Sequence, residues 1–314
     1  MLAVLVSRQE RCQEKFMRIG ISLPHYGTFT TKEAVVEVSR TAEAMGYDSL
    51  WTGDRILAPL DPSDGYGGVP GAPMPAPFKT YFDPLTALTF AAAHTERMRL
   101  GMSTLNALWY PPVLLARTLT TLDILSGGRV DAGFGISWLH DEYSAVNVPW
   151  KDRGGRLDET VDVLKTIWTQ EVVEHHGTYF DIVPTTIEPK PAQRPHPPIL
   201  LAGFAPPALK RIARSADGWL PVQMPMENLT YLWGALRAEW EGVGRDPATL
   251  RAPLRINVEP TGVSDDALKQ TASYVREASA LGLDEAFIDL GQACASVPEL
   301  LDVAGRFIGI VRAG

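Results

Sequence analysis

RLGMSTLNALWYPPVLLARTLTTLDILSGGRVDAGFGI, residues 99–136, contains one complete turn of the rhythm on which this chain is built. RLGMSTL, from Arg99, is a short apolar run with the length of a buried strand, and RVDAGFGI, from Arg129, is another. Between them PPVLLARTLTTLDILSGG opens on proline and closes at glycine, as a capped helix does. A helix carrying the chain from one buried strand to the next makes a βαβ unit and a parallel pair.

The rhythm extends in both directions. Upstream stand RIGISL from Arg18 and SLWTG from Ser49; downstream stand PPILLAG from Pro197, GWLPVQ from Gly218, LRINVEP from Leu254 and AFIDLG from Ala286. Helical stretches follow the strands in turn, among them TKEAVVEVSRTAEAMG with Gly46 as its stop, GGRLDETVDVLKTIWTQ and APPALKRIARSADG. Eight strands and eight helices in a chain of 314 residues make the expected α/β architecture a single closed (β/α)8 TIM barrel with insertions, rather than an open doubly wound sheet.

Composition is consistent with that size of core. Apolar residues make up 45% and charged residues 21%, which is ordinary for a globular chain. Thirty-seven acids against 29 bases give a net charge of −8, and the bases are scattered, so neither nucleic acid nor an anionic membrane is an expected partner. Cys12 and Cys294 stand far apart without CxxC or Cys/His spacing, which indicates neither a disulfide framework nor a metal site. MLAVLV is too short for an export signal and no run is apolar enough for a membrane span. Residues 1–16 therefore read as an N-terminal extension, 17–314 as the barrel domain, and the cytoplasm as the expected compartment.

Two insertions interrupt the rhythm. The Pro/Gly-rich stretch between Asp54 and Asp83 leaves the C-terminal end of the second strand, where barrels of this kind carry their active sites, and reads as a substrate lid. A second, around His176-Gly177, reads as a small hairpin.

Several residues at strand ends carry chemistry. Gly203-Phe204-Ala205-Pro206-Pro207 opens a helix after the fifth strand, and a helix start with a close-approach glycine suits an anion. Asp54 places a carboxylate at the barrel mouth, either to accept a hydrogen bond from a ring or hydroxyl or to form a structural salt bridge. His25, just past the first strand, is the first candidate for general acid or base, with His140 a second. Trp51, Trp109 and Trp138 sit near three strand ends, suited to wall an apolar substrate pocket or to fill core. The vicinal His175-His176 would face opposite sides of a strand, which is poor metal geometry.

GYDSLWTGD, DPLTALTFAAAHTERMRLGMST, LDILSGGRVDAGFGISWLHDE, RGGRLDETVDVLKTIW and PHPPILLAGFAPPALKRIARSADGWLP resemble, in order and spacing, the luciferase-like oxidoreductases, closely over residues 18–222. The resemblance implies an enzyme that binds coenzyme F420, with FMN as the alternative. It implies hydride transfer between the deazaflavin and a small organic substrate; the alternatives are an FMNH2-dependent monooxygenase and a non-catalytic flavin-binding barrel. It places the cofactor phosphate at Gly203, Phe204 and Ala205, with Lys210 and Arg211 as helpers, and the ribityl chain along Gly135, Ile136 and Ser137. It puts a non-proline cis peptide behind the ring at Ser103-Thr104 and a homodimer in solution. Two positions depart from the pattern: Arg55 stands where many relatives have His, and Trp138 where some sugar-phosphate dehydrogenases have Glu.

Overall fold

Parallel strands form at all eight apolar runs in the computed structural model, which describes residues 17–313. They are β1 (Arg18–Ser22), β2 (Ser49–Thr52), β3 (Arg99–Met102), β4 (Val130–Gly135), β5 (Ile199–Leu201), β6 (Gly218–Trp219), β7 (Pro253–Asn257) and β8 (Glu285–Asp289). β1 lies between β8 and β2, with Ile21 paired to Ile288 on one side and Leu50 on the other. The order then runs through β3, β4 and β5 to β6, while β7 flanks β8. Closure comes where β6 meets β7: Trp219 N–H donates to Arg251 O at 2.9 Å, and Arg255 N–H to Pro221 O at 2.9 Å. The expected closed barrel is therefore formed, and the reading of residues 1–16 as an extension lies outside the described residues.

The helices follow the sequence signals. α1 (Lys32–Met45) is capped by the Thr31 hydroxyl, which accepts from Ala34 N–H, and stops at Gly46 with φ 88°. α2 (Pro84–Ala92) starts from the Asp83 side chain. α3 (Pro112–Leu125), a short α4 (His140–Ala145) and α5 (Arg153–Thr169) come next, then α6 (Pro206–Ser215), α7 (Met226–Gly242), α8 (Asp265–Leu281) and α9 (Val297–Ala313). Their buried faces and the outward faces of the strands make one continuous core that includes Val38, Leu88, Leu119, Val161, Ile212 and Leu268. A separate small cluster, Trp51, Leu200, Leu220 and Phe287, fills the barrel interior.

The insertion after β2 lies over the C-terminal end of the barrel. Tyr26 and Tyr81 bridge across it, and Phe78 and Met74 pack beneath. The second insertion is the expected hairpin, Val173–His176 against Asp181–Thr185. Glu159 of α5 holds it by accepting the N–H groups of Thr178, Tyr179 and Phe180. Among the described residues no helix is long and apolar enough to cross a membrane.

Candidate active site

A cavity of about 520 Å³ opens at the C-terminal end of the barrel. Its walls are the segments that leave the strands: Gly53 to Arg55 after β2, Ser103 and Thr104 after β3, Gly135 to Trp138 after β4, and Ala202 to Phe204 after β5. Leu220 and Val222 follow β6, Arg255 and Asn257 belong to β7, and Tyr66, Phe78 and Tyr81 hang from the lid. Side chains from different strands converge because parallel strands all deliver their ends to one rim.

Asp54 is the acid on this rim. One carboxylate oxygen accepts the Asn106 N–H at 3.1 Å, so it is held by a backbone donor rather than by a cation. Burial pushes its pKa up to about 7; Glu142 and Asp83 push the same way, and the Asn106 N–H and Arg55 oppose them. A carboxyl poised there can both give and take a proton near neutral pH.

The segment after β3 forms a fixed shelf. The Ser103–Thr104 peptide is cis, at the place the resemblance implied. Ser103 N–H donates to Thr52 O at 2.7 Å, and the Arg255 guanidinium donates to Ser103 O at 2.8 Å. Arg255 is itself tied to Asp289 at 2.6 Å, which also accepts the Tyr26 hydroxyl at 2.8 Å. Beyond the shelf Leu105 and Asn106 rejoin β4 opposite Phe134 and Gly135. Only glycine fits at 135, because a Cβ would run into the Thr104 hydroxyl. Ser137, at φ 48°, donates from its hydroxyl to Glu142 at 2.8 Å.

At the fifth strand Gly203 adopts φ 149° and its carbonyl accepts the Trp219 indole N–H at 2.9 Å. Ala205 caps α6 without lining the cavity. This helix start is poorer in donors than a usual one, because Pro206 and Pro207 have no N–H and Ala208 N–H is spent on Ala205 O. Arg211 is also committed, to Asp158 at 2.8 Å.

Besides Ala205, three residues singled out from sequence sit outside the cavity lining. His25 is fully buried behind the wall: Nδ1–H donates to Leu23 O at 2.6 Å and Nε2 accepts Gly53 N–H at 2.8 Å. Both nitrogens are thus occupied and the tautomer is fixed. Burial pulls its pKa down to about 4, so the ring braces Asp54's segment as a neutral group. Trp51 points into the barrel, stacks on Phe287 at 4.6 Å and donates to Ser49 Oγ at 2.8 Å. It is core, with Gly20 and Gly101 leaving the space its ring needs. His140 lies on Trp150, ring centroids 3.5 Å apart, and bonds Asp64 at 2.8 Å, so it clasps the lid rather than lining the pocket.

Trp109 and Trp138 do line it, together with Asn106, Tyr66, Phe78, Tyr81 and Arg255, which strand-end reasoning passed over. The sequence did carry a signal for Arg255 and Asn257: polar residues at alternate places in the otherwise apolar LRINV. Three cavity residues carry buried donors without a hydrogen-bond partner: Arg55 Nε, Asn106 Nδ2 and Trp109 Nε1. Buried donors are almost always paired in native proteins, so this set suits a group with hydrogen-bond acceptors entering the cavity.

Comparison with known proteins agrees with the architecture. A family model described as luciferase-like monooxygenase matches residues 17–289. An uncharacterised protein of Mycobacterium tuberculosis is 31% identical over 223 residues, covering 67% of this chain and 79% of its own. The F420-dependent glucose-6-phosphate dehydrogenase of Amycolatopsis mediterranei is 30% identical over 190 residues, 59% of this chain and 52% of that protein. The FMNH2-dependent dimethylsulfone monooxygenase of Pseudomonas putida is 28% identical over 202 residues, 63% and 53% respectively. Among solved structures, the monooxygenase RslO1 of Streptomyces bottropensis superposes with a TM-score of 0.77 at 21% identity, covering 95% of this chain and 99% of that one.

Proposed function

Because the chain belongs to the luciferase-like monooxygenase family, whose members are oxidoreductases, we propose that it uses F420 and moves hydride between that deazaflavin and a small organic substrate. The observation that carries the choice of cofactor is the sparse anion cradle at Gly203. Two prolines remove donors from the start of α6, and of the two bases a turn later Arg211 is spent on Asp158, which leaves Lys210 as the one uncommitted cation of that pair. Such a cradle suits the singly charged phosphodiester of a deazaflavin better than the doubly charged phosphate of FMN. The Amycolatopsis relative supports the same cofactor.

When bound, the deazaflavin supplies a two-electron hydride carrier. In this reading Ser103 and Thr104 support the ring, Gly135 to Ser137 follow the ribityl chain, and Gly203 and Phe204 meet the phosphate. Asp54 holds the proton, gives it to the substrate atom that gains charge during reduction, and takes it back in the reverse direction. Tyr66, Phe78, Tyr81 and Trp138 exclude water from the rim. A second reading, an FMNH2-dependent monooxygenase, draws on the Pseudomonas relative and on the same aromatic enclosure.

Equilibrium titration of the purified protein with F420 and with FMN, followed by fluorescence, separates the two. The expected result is F420 binding at least about tenfold tighter than FMN. Tight FMN binding without affinity for F420 would overturn the proposal and leave the second reading.

A further inference from the structure

Two arginines line the cavity among the described residues, and they are in different states of commitment. Arg255 has every nitrogen engaged: it donates to Ser103 O at 2.8 Å, Asn257 Oδ1 at 2.9 Å and Asp289 Oδ2 at 2.6 Å. Arg55 does not. Its side chain is only 9% exposed, and its guanidinium carbon lies over the Phe78 and Trp138 rings, 5.5 and 5.2 Å from their centroids. Its hydrogen bond to a carboxylate runs from Nη1 to Glu142 at 3.4 Å, well beyond the roughly 2.7–2.9 Å of a strong charge-assisted bond. Nε is buried with no partner.

Glu142 is occupied elsewhere. One oxygen accepts the Ile56 N–H at 3.2 Å and the other the Ser137 hydroxyl at 2.8 Å. The contact with Arg55 therefore leaves the Nε–Nη2 edge uncommitted. That edge is the planar fork that takes a carboxylate through two parallel hydrogen bonds. A buried guanidinium with an unspent fork costs stability unless an anion arrives to meet it. The walls around it are aromatic: Tyr66 meets Trp138 edge-on at 5.8 Å, and Phe78 lies 5.5 Å from the guanidinium carbon.

We propose that Arg55 anchors the carboxylate of the substrate, so that the enzyme acts on small planar organic acids, aromatic or conjugated. This rests on the reading of the cavity as an oxidoreductase's substrate site. Asp54 lies next to the anchor in sequence and shares the rim with it. In its neutral form it places no repelling charge beside the bound acid and keeps the proton that reduction needs.

The test pairs acids with their neutral amides. Benzoate against benzamide and cinnamate against cinnamamide are titrated into the protein with and without F420, followed by quenching of tryptophan fluorescence. Wild type is expected to bind at least one acid about tenfold or more tightly than its amide. R55M should reduce that preference to about twofold or less, and R55K should keep part of it, because lysine supplies the charge without the fork. F420 affinity should change less than about twofold in R55M.

Equal binding of acid and amide by wild type in both pairs, binding of neither, or a preference that survives in R55M would overturn the assignment. Loss of F420 affinity in R55M would overturn it too, by giving Arg55 to the cofactor. If R55M does not fold, R55K carries the test: a full preference there overturns the fork. Failure to bind F420 alongside an Arg55-dependent acid preference would instead sink the cofactor proposal and leave this one standing.

Discussion

The two ends of this barrel treat buried polar groups in opposite ways. At the N-terminal end the buried carboxylates are paired with cations from within. Asp131 receives Arg99 through bonds of 2.7 and 2.6 Å and pairs with Arg251 as well. Asp284 takes Arg18 and the Ala252 N–H. Glu285 accepts the Ser49 hydroxyl and, at 3.0 Å, the Trp51 indole, while its second oxygen, off-line for a hydrogen bond, is ion-paired to Arg18 at 3.1 Å. At the C-terminal end Thr52 Oγ1, Arg55 Nε, Asn106 Nδ2 and Trp109 Nε1 are buried and find no partner. An unmet buried donor costs about 1–3 kcal/mol. A fold keeps such groups where the partner comes from outside, so one end is built for stability and the other for binding.

The largest effect expected from this division is at the closed end. Asp131→Asn removes the charge that two guanidiniums share, and those guanidiniums hold its carboxyl down at about 2. Breaking a buried pair on one side leaves uncompensated charge, at a cost of about 3–5 kcal/mol in unfolding free energy measured with urea. The folded fraction should still bind F420 within about twofold of wild type, because none of these groups reaches the cavity. A loss under about 1 kcal/mol would mean that the closed end is not the stabilising one.

What was legible in the sequence divides along the same line. Strand and helix positions follow from apolar periodicity and from caps such as Thr31, Asp83 and Gly46, which are local signals. Asp54, Gly135 and Trp138 are on the rim because strand ends deliver them there. The direction in which a side chain leaves its strand is not local. Trp51 turns inward because Gly20, from a neighbouring strand, and Gly101, from another, leave it room. His25 is consumed by Leu23 O and Gly53 N–H, a pairing that exists only once β1 and β2 are side by side. His140 is taken by Asp64 of the lid. Tertiary partners, invisible in a linear pattern, decided which polar residues remain free.

At the open end the buried carboxyl makes stability depend on pH. The folded-state pKa of Asp54, about 7, lies above its ordinary value of 3.8. Ionising it therefore disfavours the native state: its contribution is fully present below 3.8 and is lost as pH rises through about 7. Asn keeps the site neutral throughout and can still accept the Asn106 N–H. Asp54→Asn should match wild type near pH 4 and become more stable by about 2 kcal/mol at pH 8, while losing the group that moves the proton. Equal stability at both pH values would show that the rim does not hold a strained carboxyl.

The smallest effect tests the unmet donors directly. Trp109→Phe removes an indole N–H that has no partner, which favours the variant, and shrinks a partly buried ring, which disfavours it. These opposing terms should leave the stability of the cofactor-free protein within about 1 kcal/mol of wild type. The difference should appear when the cavity is filled. Saturating F420 should raise the melting temperature of wild type more than that of the variant, by the equivalent of about 1 kcal/mol, if the indole valence is completed by the bound group. An equal rise would mean that the Trp109 donor is merely badly packed, and the contrast between the two ends would then have to rest on Arg55 and Asn106.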